Sequence, residues 1–515
     1  MRTTARALAF SAAITAGGCA AILGVEELER DTRGADDGGI SDGGADAVVV
    51  ACGGIVCSGP HRACIDDTCA CVVGYAEENG ACVFRGGPRD PTFENTPKAW
   101  VLAGGAAIDP AGVGANGTRG VATVPTGASV RQSFDMPPYG SAEPLALLLV
   151  ASTACGAPCN VTGYPDVVFG QRGSLGFGVG ANGFATTRVC LGEAAYGPAS
   201  ELLLDVVAGG ALTIDVAQYV PDPSCPPPGK VRNGDFEAVE GWTPTGEAQI
   251  VLGKGASDTR GGVLSPTSCN AAASLLGEVS VPAALPRPAL TFRQRGPTSR
   301  LLDVLTATVP GRSSFGTETI CLPEWSRGYS LPLPIALAPV GSGACLAAEF
   351  AVDDFAVVSS PTCPDSPFVL DGAFEDTSVM YWQPRAAGNT ATARIDRGSG
   401  AARSGSGSLL LASNDCGGTA SASQAITLPP SGAGGPAVSF WSRGVVTTGG
   451  RFTVAGKDQP VTSEYTRSTV CLPTGRAMRS YDLVFSIAVG GGTCSARIDV
   501  DDVVVGNDPS CASEK

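Results

Sequence analysis

Residues 351–363 read AVDDFAVVSSPTC, and the same frame occurs twice more, as TIDVAQYVPDPSC at 213–225 and DVDDVVVGNDPSC at 499–511. The three stretches align without a gap, which sets Asp215, Asp353 and Asp501 against one another and closes each stretch at Cys225, Cys363 or Cys511. Upstream stand RDPTFE (89–94), RNGDFE (232–237) and LDGAFE (370–375), with Glu94, Glu237 and Glu375 at intervals of 143 and 138 residues. A tryptophan follows each of these closely: Trp100, Trp242 and Trp382. Between opening and closing come RVCLGE, TICLPE and TVCLPT, holding Cys190, Cys321 and Cys471. The spacing predicts three tandem domains, 88–226, 229–364 and 366–511, joined by Pro-rich turns such as CPPPGKV and CPDSPF.

Composition bounds what those domains are. Of 515 residues, 70 are Gly and 38 Pro, about a fifth of the chain; average usage gives roughly 12%. Short apolar runs (SLLLAS, ALTFRQR, ARIDVDDVVV) separated by Gly, Pro, Ser and Asn predict an all-β fold, sandwich or barrel. Apolar content of 43% supplies real cores. The net charge of −15 and the scattered Lys and Arg argue against a nucleic-acid partner, which needs clustered cations. With one histidine, His61, against 19 cysteines, mixed Cys/His zinc sites and His-based triads are nearly excluded, and disulfides in an oxidising compartment are expected.

The front end points the same way. Arg2 and Arg6 precede ALAFSAAITA, an apolar run long enough for a signal peptide and too short to span a bilayer. Ala16, Gly17 and Gly18 then lead into Cys19. This resembles the lipobox of bacterial lipoproteins, with Ala16 where Leu is usual, and implies a signal peptide over 1–18 and lipidation of Cys19. An ordinary secretory signal with a free Cys19 is the alternative. Setting Cys19 aside leaves 18 cysteines, all pairable. The acidic, Gly-rich stretch to residue 50 reads as a solvated tether, 19–50. The expected location is the cell envelope, with the membrane as partner through the N-terminal lipid.

Six cysteines fall within the 31 residues Cys52–Cys82, spaced C-x4-C-x6-C-x4-C-x-C-x10-C, with Gly74-Tyr75 in the last loop. Residues 51–84 thus resemble an EGF-like module. The resemblance implies the pairs Cys52–Cys64, Cys57–Cys69 and Cys71–Cys82; the count alone allows 15 connectivities. Disulfides stand in here for a core that so short a segment cannot bury. The acidic consensus of calcium-binding EGF modules is absent, and His61 reads as an exposed loop residue.

An opening NGDFE followed by Trp and a closing VDD strand resemble the jelly-roll carbohydrate-binding modules of the family 4/9 type, among the galactose-binding-like sandwiches. The resemblance covers residues 88–511 and is strongest in the second repeat. It implies three jelly rolls, with Glu237 and Asp353, Glu375 and Asp501, and Glu94 and Asp215 around a structural Ca²⁺; oxygen-only ligands suit that ion. The first repeat departs from the pattern, with Pro91 where the others have Gly. Ordinary surface or capping carboxylates are the alternative. A catalytic acid and base, which a glycosidase holds about 5–9.5 Å apart, rank below both because the pair recurs in every repeat. No organic cofactor is implied.

Comparing the repeats also predicts their disulfides. The second and third each carry four cysteines, whereas the first keeps counterparts only of the second and fourth and adds Cys155 and Cys159. Partners should be lost together, because an orphan thiol in an oxidising compartment is reactive. The expected pairs are Cys190–Cys225, Cys155–Cys159, Cys269–Cys345, Cys321–Cys363, Cys416–Cys494 and Cys471–Cys511.

Trp100, Trp242 and Trp382 read as core. Trp441 differs: in VSFWSRG (438–444) alternation puts Phe440 on one face and Trp441 with Arg443 on the other, as LTFRQRG does with Arg293 and Arg295. Trp441 and Arg443 are therefore the candidate ligand contacts, alongside the reading of an incidental surface pair. The expected function is non-catalytic binding or adhesion at the cell surface, with a glycan as ligand. A structural or protein-binding spacer is the alternative, and an extracellular hydrolase ranks last.

Overall fold

The computed structural model describes residues 50–511 apart from short internal stretches, the longest at 154–165 and 338–348. The signal peptide, Cys19 and nearly all of the tether lie outside the described residues, as do His61, Cys155, Cys159, Cys269, Cys345 and the side chains of Cys52, Cys57 and Cys64. No α-helix occurs among the described residues; the chain is all-β.

The second repeat shows the plan. Its strands are Thr243–Gly246, Ala248–Leu252, Arg260–Leu264, Ala273–Ser280, Pro288–Arg295, Leu301–Val304, Ala307–Pro310, Gly316–Cys321, Ser330–Leu337 and Phe350–Ser359. Numbered in that order, the first, fourth, ninth, sixth and seventh form one antiparallel sheet. The second, third, tenth, fifth and eighth form the other. The first and third repeats have the same two five-stranded sheets in the same order. This is a jelly-roll sandwich three times over, and the closing stretch that opened the sequence reading is the central strand of one sheet each time. Alternation makes the core: along Pro288–Arg295, Leu290 and Phe292 are fully buried between the sheets while Arg293 and Arg295 point away.

Each sandwich is entered through the same strained turn. Asp90 and Phe93, Asn233 and Phe236, and Asp371 and Phe374 all take left-handed φ between +46° and +59°. Non-glycine residues there cost of order 1 kcal/mol or more each. The turn offsets this by burying each Phe ring completely against its Trp, with centroids 5.0, 4.7 and 5.4 Å apart. Burial of such a ring contributes about 1.5–3 kcal/mol. The Trp Nε1–H then donates to the carbonyl of the first turn residue, at 3.1 Å (Asp90), 2.8 Å (Asn233) and 3.1 Å (Asp371). All three tryptophans are core residues, at most 5% exposed.

A disulfide joins the eighth strand to a cysteine in the turn after the tenth in every sandwich: Cys190–Cys225, Cys321–Cys363 and Cys471–Cys511. Cys416–Cys494 adds a second bond in the third. Ahead of the sandwiches lie three two-stranded hairpins. Cys71–Cys82 closes onto the last of them, and Cys69 is also disulfide-bonded. Phe84, from that last hairpin, packs against the first sandwich core.

The sandwiches touch end to end. The Arg188 guanidinium donates to Asp222 in the first and, at 3.1 Å, to Glu278 in the second. Glu193 accepts from the Ala283 N–H at 2.7 Å, and the Ala194 N–H reaches the Gly328 carbonyl at 2.8 Å. Between second and third, Thr308 and Met380 exchange two backbone hydrogen bonds of 2.9 Å. Leu370, Val379 and Tyr381 complete the core of the second sandwich from the third repeat's opening segment.

Candidate functional site

Two constellations recur on the second sheet. The first is the carboxylate pair. The opening turn docks on the closing strand through one backbone bond: Phe355 N–H to Gly234 O (2.8 Å), Val503 to Gly372 (2.8 Å) and Ala217 to Pro91 (2.9 Å). A Cβ at Gly234 or Gly372 would lie 2.2 or 2.0 Å from the Phe355 or Val503 carbonyl oxygen. Pro91 makes the equivalent bond because proline lacks an N–H, not a carbonyl.

Beside that bond the carboxylates grip the loop between the second and third strands. Asp353, 1% exposed, accepts from Ala256 N–H at 2.8 Å and Thr259 Oγ1 at 3.4 Å with one oxygen, and from Asp354 N–H at 2.8 Å with the other. Asp501, fully buried, accepts from the N–H groups of Arg403 (2.7 Å), Ser404 (3.0 Å) and Asp502 (2.7 Å). Asp215 accepts from Thr118 Oγ1 at 2.9 Å. Glu237 accepts from Arg260 N–H at 3.1 Å. Glu375 accepts from Ser406 Oγ and N–H (both 2.7 Å) and from Gly407 N–H (2.8 Å). Burial pushes Asp353 and Asp501 above the usual carboxylate range even against these bonds, while the Ser406 hydroxyl and the Gly407 and Ser406 amides hold Glu375 below it.

A structural Ca²⁺ at these positions, as the resemblance implies, would have to share the carboxylates with the loop they hold. Ca²⁺ takes six to eight oxygen ligands, and the groups facing Asp353, Asp501, Glu237 and Glu375 here are N–H and O–H donors. No cluster of three or more His, Cys, Asp or Glu side chains suited to a metal exists among the described residues. Asp215 has the same kind of neighbour in Thr118. In the described contacts the carboxylates act as a clamp on a loop.

The second constellation lies on the outer face of the same sheet in the third sandwich. Phe440 is buried in the core, and Trp441 and Arg443 face outward, half-buried. Cross-strand pairing sets Trp441 beside Asp501 and Arg467, and Arg443 beside Asp499. The clamped loop reaches over this face. Arg403 lies with its guanidinium carbon 3.8 Å from the centre of the Trp441 ring, fixed by a 2.6 Å ion pair with Asp502. Arg443 lies 4.7 Å from the centre of the Tyr465 ring, donates to Asp499 Oδ2 at 3.3 Å, and donates to the Gly400 carbonyl. Burial, then the Asp499 charge, pushes the Tyr465 hydroxyl up to about 12, so it stays a neutral donor. Next to this stack is an open cleft of about 340 Å³ lined by Arg443, Gly444, Val445, Ser463, Arg497 and Asp499.

The second sandwich carries a reduced version: Arg293 and Arg295 flank Phe315, at 5.9 and 5.0 Å. The first has Val150 and Ser152 at the matching positions of its fifth strand. Sequence reading found Trp441 and Arg443 but missed Arg403, Phe315 and Tyr465. The two aromatics were accessible to it, since each stands six residues before an aligned cysteine, Cys321 or Cys471. Arg403 was not, because no spacing rule says over which strand a Gly/Ser loop folds.

No protein-family model matches the sequence, and no curated protein matches it. Among solved structures, the chain is similar to the tandem CBM22 domains of Paenibacillus barcinonensis Xyn10C, at 15% identity over 52% of this chain and 96% of that one, with a TM-score of 0.19. It is similar to TmCBM61 in complex with β-1,4-galactotriose, at 14% identity over 28% of this chain and 99% of that one, TM-score 0.20. A third is the family 11 carbohydrate-binding module of the Clostridium thermocellum cellulase Lic26A-Cel5E, at 11% identity over 27% and 94%, TM-score 0.20. The sugars named for those proteins are theirs.

Proposed function

We propose that this chain is a non-catalytic glycan-binding protein of the cell surface, held to the membrane by lipid on Cys19, with the outer face of its third sandwich as the binding surface. The observation that carries the reading is the layered stack of Arg403 on Trp441 and Arg443 on Tyr465 beside an open, polar-floored cleft. A sugar presents flat C–H faces and a rim of hydroxyls; planar rings edged by fixed N–H donors answer both needs. Catalysis is a poorer reading, because the repeated carboxylates already accept backbone hydrogen bonds that tie down a loop. The continuous contacts between sandwiches favour a spacer role for the first two, projecting the third away from the anchor.

The test is a glycan array probed with the full chain and with Trp441→Ala. Wild-type binding that falls at least tenfold in the variant, with an unchanged melting temperature, is the expected result. Wild type that binds no glycan overturns the reading. The anchor is checked separately: Cys19→Ser should move the protein from the detergent phase to the soluble fraction.

A further inference from the structure

The cleft beside the stack has an uneven charge count. Its lining holds two guanidinium groups, Arg443 and Arg497, and one carboxylate, Asp499. The acid forms the floor: its side chain is 5% exposed, against 31% for Arg443 and 57% for Arg497. Each arginine donates to a different Asp499 oxygen, Arg443 Nε to Oδ2 at 3.3 Å and an Arg497 terminal nitrogen to Oδ1 at 3.4 Å. One buried acid therefore fixes two guanidinium planes at the rim of one cleft. Gly444, Val445 and Ser463 add no charge, and Val445, 62% exposed, gives one wall an apolar surface.

We infer that the ligand of this face is a uronic-acid-containing polysaccharide, with one sugar carboxylate seated against Arg443 and Arg497. The inference rests on the reading of this face as a glycan site. Two cations against one anion leave a single positive charge in the cleft, which one carboxylate neutralises and a neutral sugar does not. A planar carboxylate matches the guanidinium fork bidentately, and such charge-assisted bonds are the strong ones. Further arginines stand on the same face to meet neighbouring units of a chain. Arg467 is paired across from Trp441, and Arg394, in a 3.5 Å ion pair with Asp396, lies two strands from Asp499 through Leu410. The protein as a whole carries −15, so a polyanion finds no general attraction here and must be held by this local cluster.

The experiment is affinity electrophoresis of the full chain in gels containing polygalacturonate, alginate, fully methyl-esterified polygalacturonate or dextran sulfate. Arg497→Gln serves as the variant, because its exposed side chain can lose charge without disturbing the core. The expected result is retardation by a uronate polymer at least tenfold stronger than by the methyl ester, and loss of that preference in Arg497→Gln while Trp441→Ala loses both. Equal binding of acid and ester, with glycan binding intact, overturns the uronate inference and leaves the glycan reading standing. Dextran sulfate binding as tightly as the uronates also overturns it, in favour of a general polyanion site. Failure to bind these polymers or any neutral glycan overturns both.

Discussion

Asp353 and Asp501 spend their oxygens on the backbone of a neighbouring loop, and the consequence is measurable. Asp353→Ala leaves the Ala256 and Asp354 amides without their acceptor in a half-buried setting. A buried donor left stranded costs about 1–3 kcal/mol, and for two half-buried donors, toward the low end of that range each, we expect a loss of roughly 2–4 kcal/mol and a lower melting temperature. Millimolar Ca²⁺ added to chelated wild-type protein should leave the melting curve unmoved where these bonds alone hold the loop; a rise would show the implied metal. The pH sign follows from burial: Asp353 holds its proton more tightly folded than unfolded, so ionisation above its ordinary range costs stability and acid relieves that cost. At this scale the sequence was legible in part. Three gapless copies revealed which carboxylates matter, because repetition exposes position. What they bind was hidden, since Ala256, Arg403 and Ser404 contribute only their amides, and an amide leaves no mark on residue type.

The ends of individual strands carry the second lesson. Arg188, on the strand Ala185–Cys190, holds Asp222, in the turn after Leu212–Pro221, and also Glu278 in the next sandwich. Burial alone would raise Asp222, but the hydrogen bonds from Arg188 and Ser224 hold it down to about 2. A depressed carboxylate stabilises the fold above its unfolded pKa, near 4, and that contribution disappears as pH falls toward 2. Asp222→Asn should therefore lower stability at pH 7 by on the order of 1–2 kcal/mol, and the wild-type advantage over the variant should shrink below about pH 4 and vanish only below about pH 2. Thermal melts at pH 7 and pH 2 check this. Strand existence was readable from alternation such as Leu290, Phe292 and their outward arginines. Pairing was not, because the partners of Phe350–Ser359 lie at Arg260–Leu264 and Pro288–Arg295, far apart in the chain.

For the molecule as a whole, Gly192 marks where the first sandwich meets the second: a Cβ there would lie 2.3 Å from the Gly328 carbonyl oxygen. Its backbone is extended, so a side chain is excluded by the neighbour and not by φ. Gly192→Val should leave both sandwiches folded but part them, seen as a larger radius of gyration in solution scattering with little change in circular dichroism. An unchanged radius would show that this contact does not set the shape. Domain count was legible because the repeats announce themselves; their docking was not, since Leu370, Val379 and Tyr381 sit in the third repeat's sequence and the second sandwich's core. The disulfide that closes each sandwich also decides how it answers a pull on its two ends. Tension arriving at Cys363 passes straight across to Cys321, so the chain between them, a separation of 42 residues, cannot be drawn out while the bond stands. At roughly 3.3–3.6 Å per extended residue, an oxidised second sandwich that gives way under force lengthens by about 140–150 Å less than a reduced one, which makes the bond a limiter on how far a loaded chain can stretch.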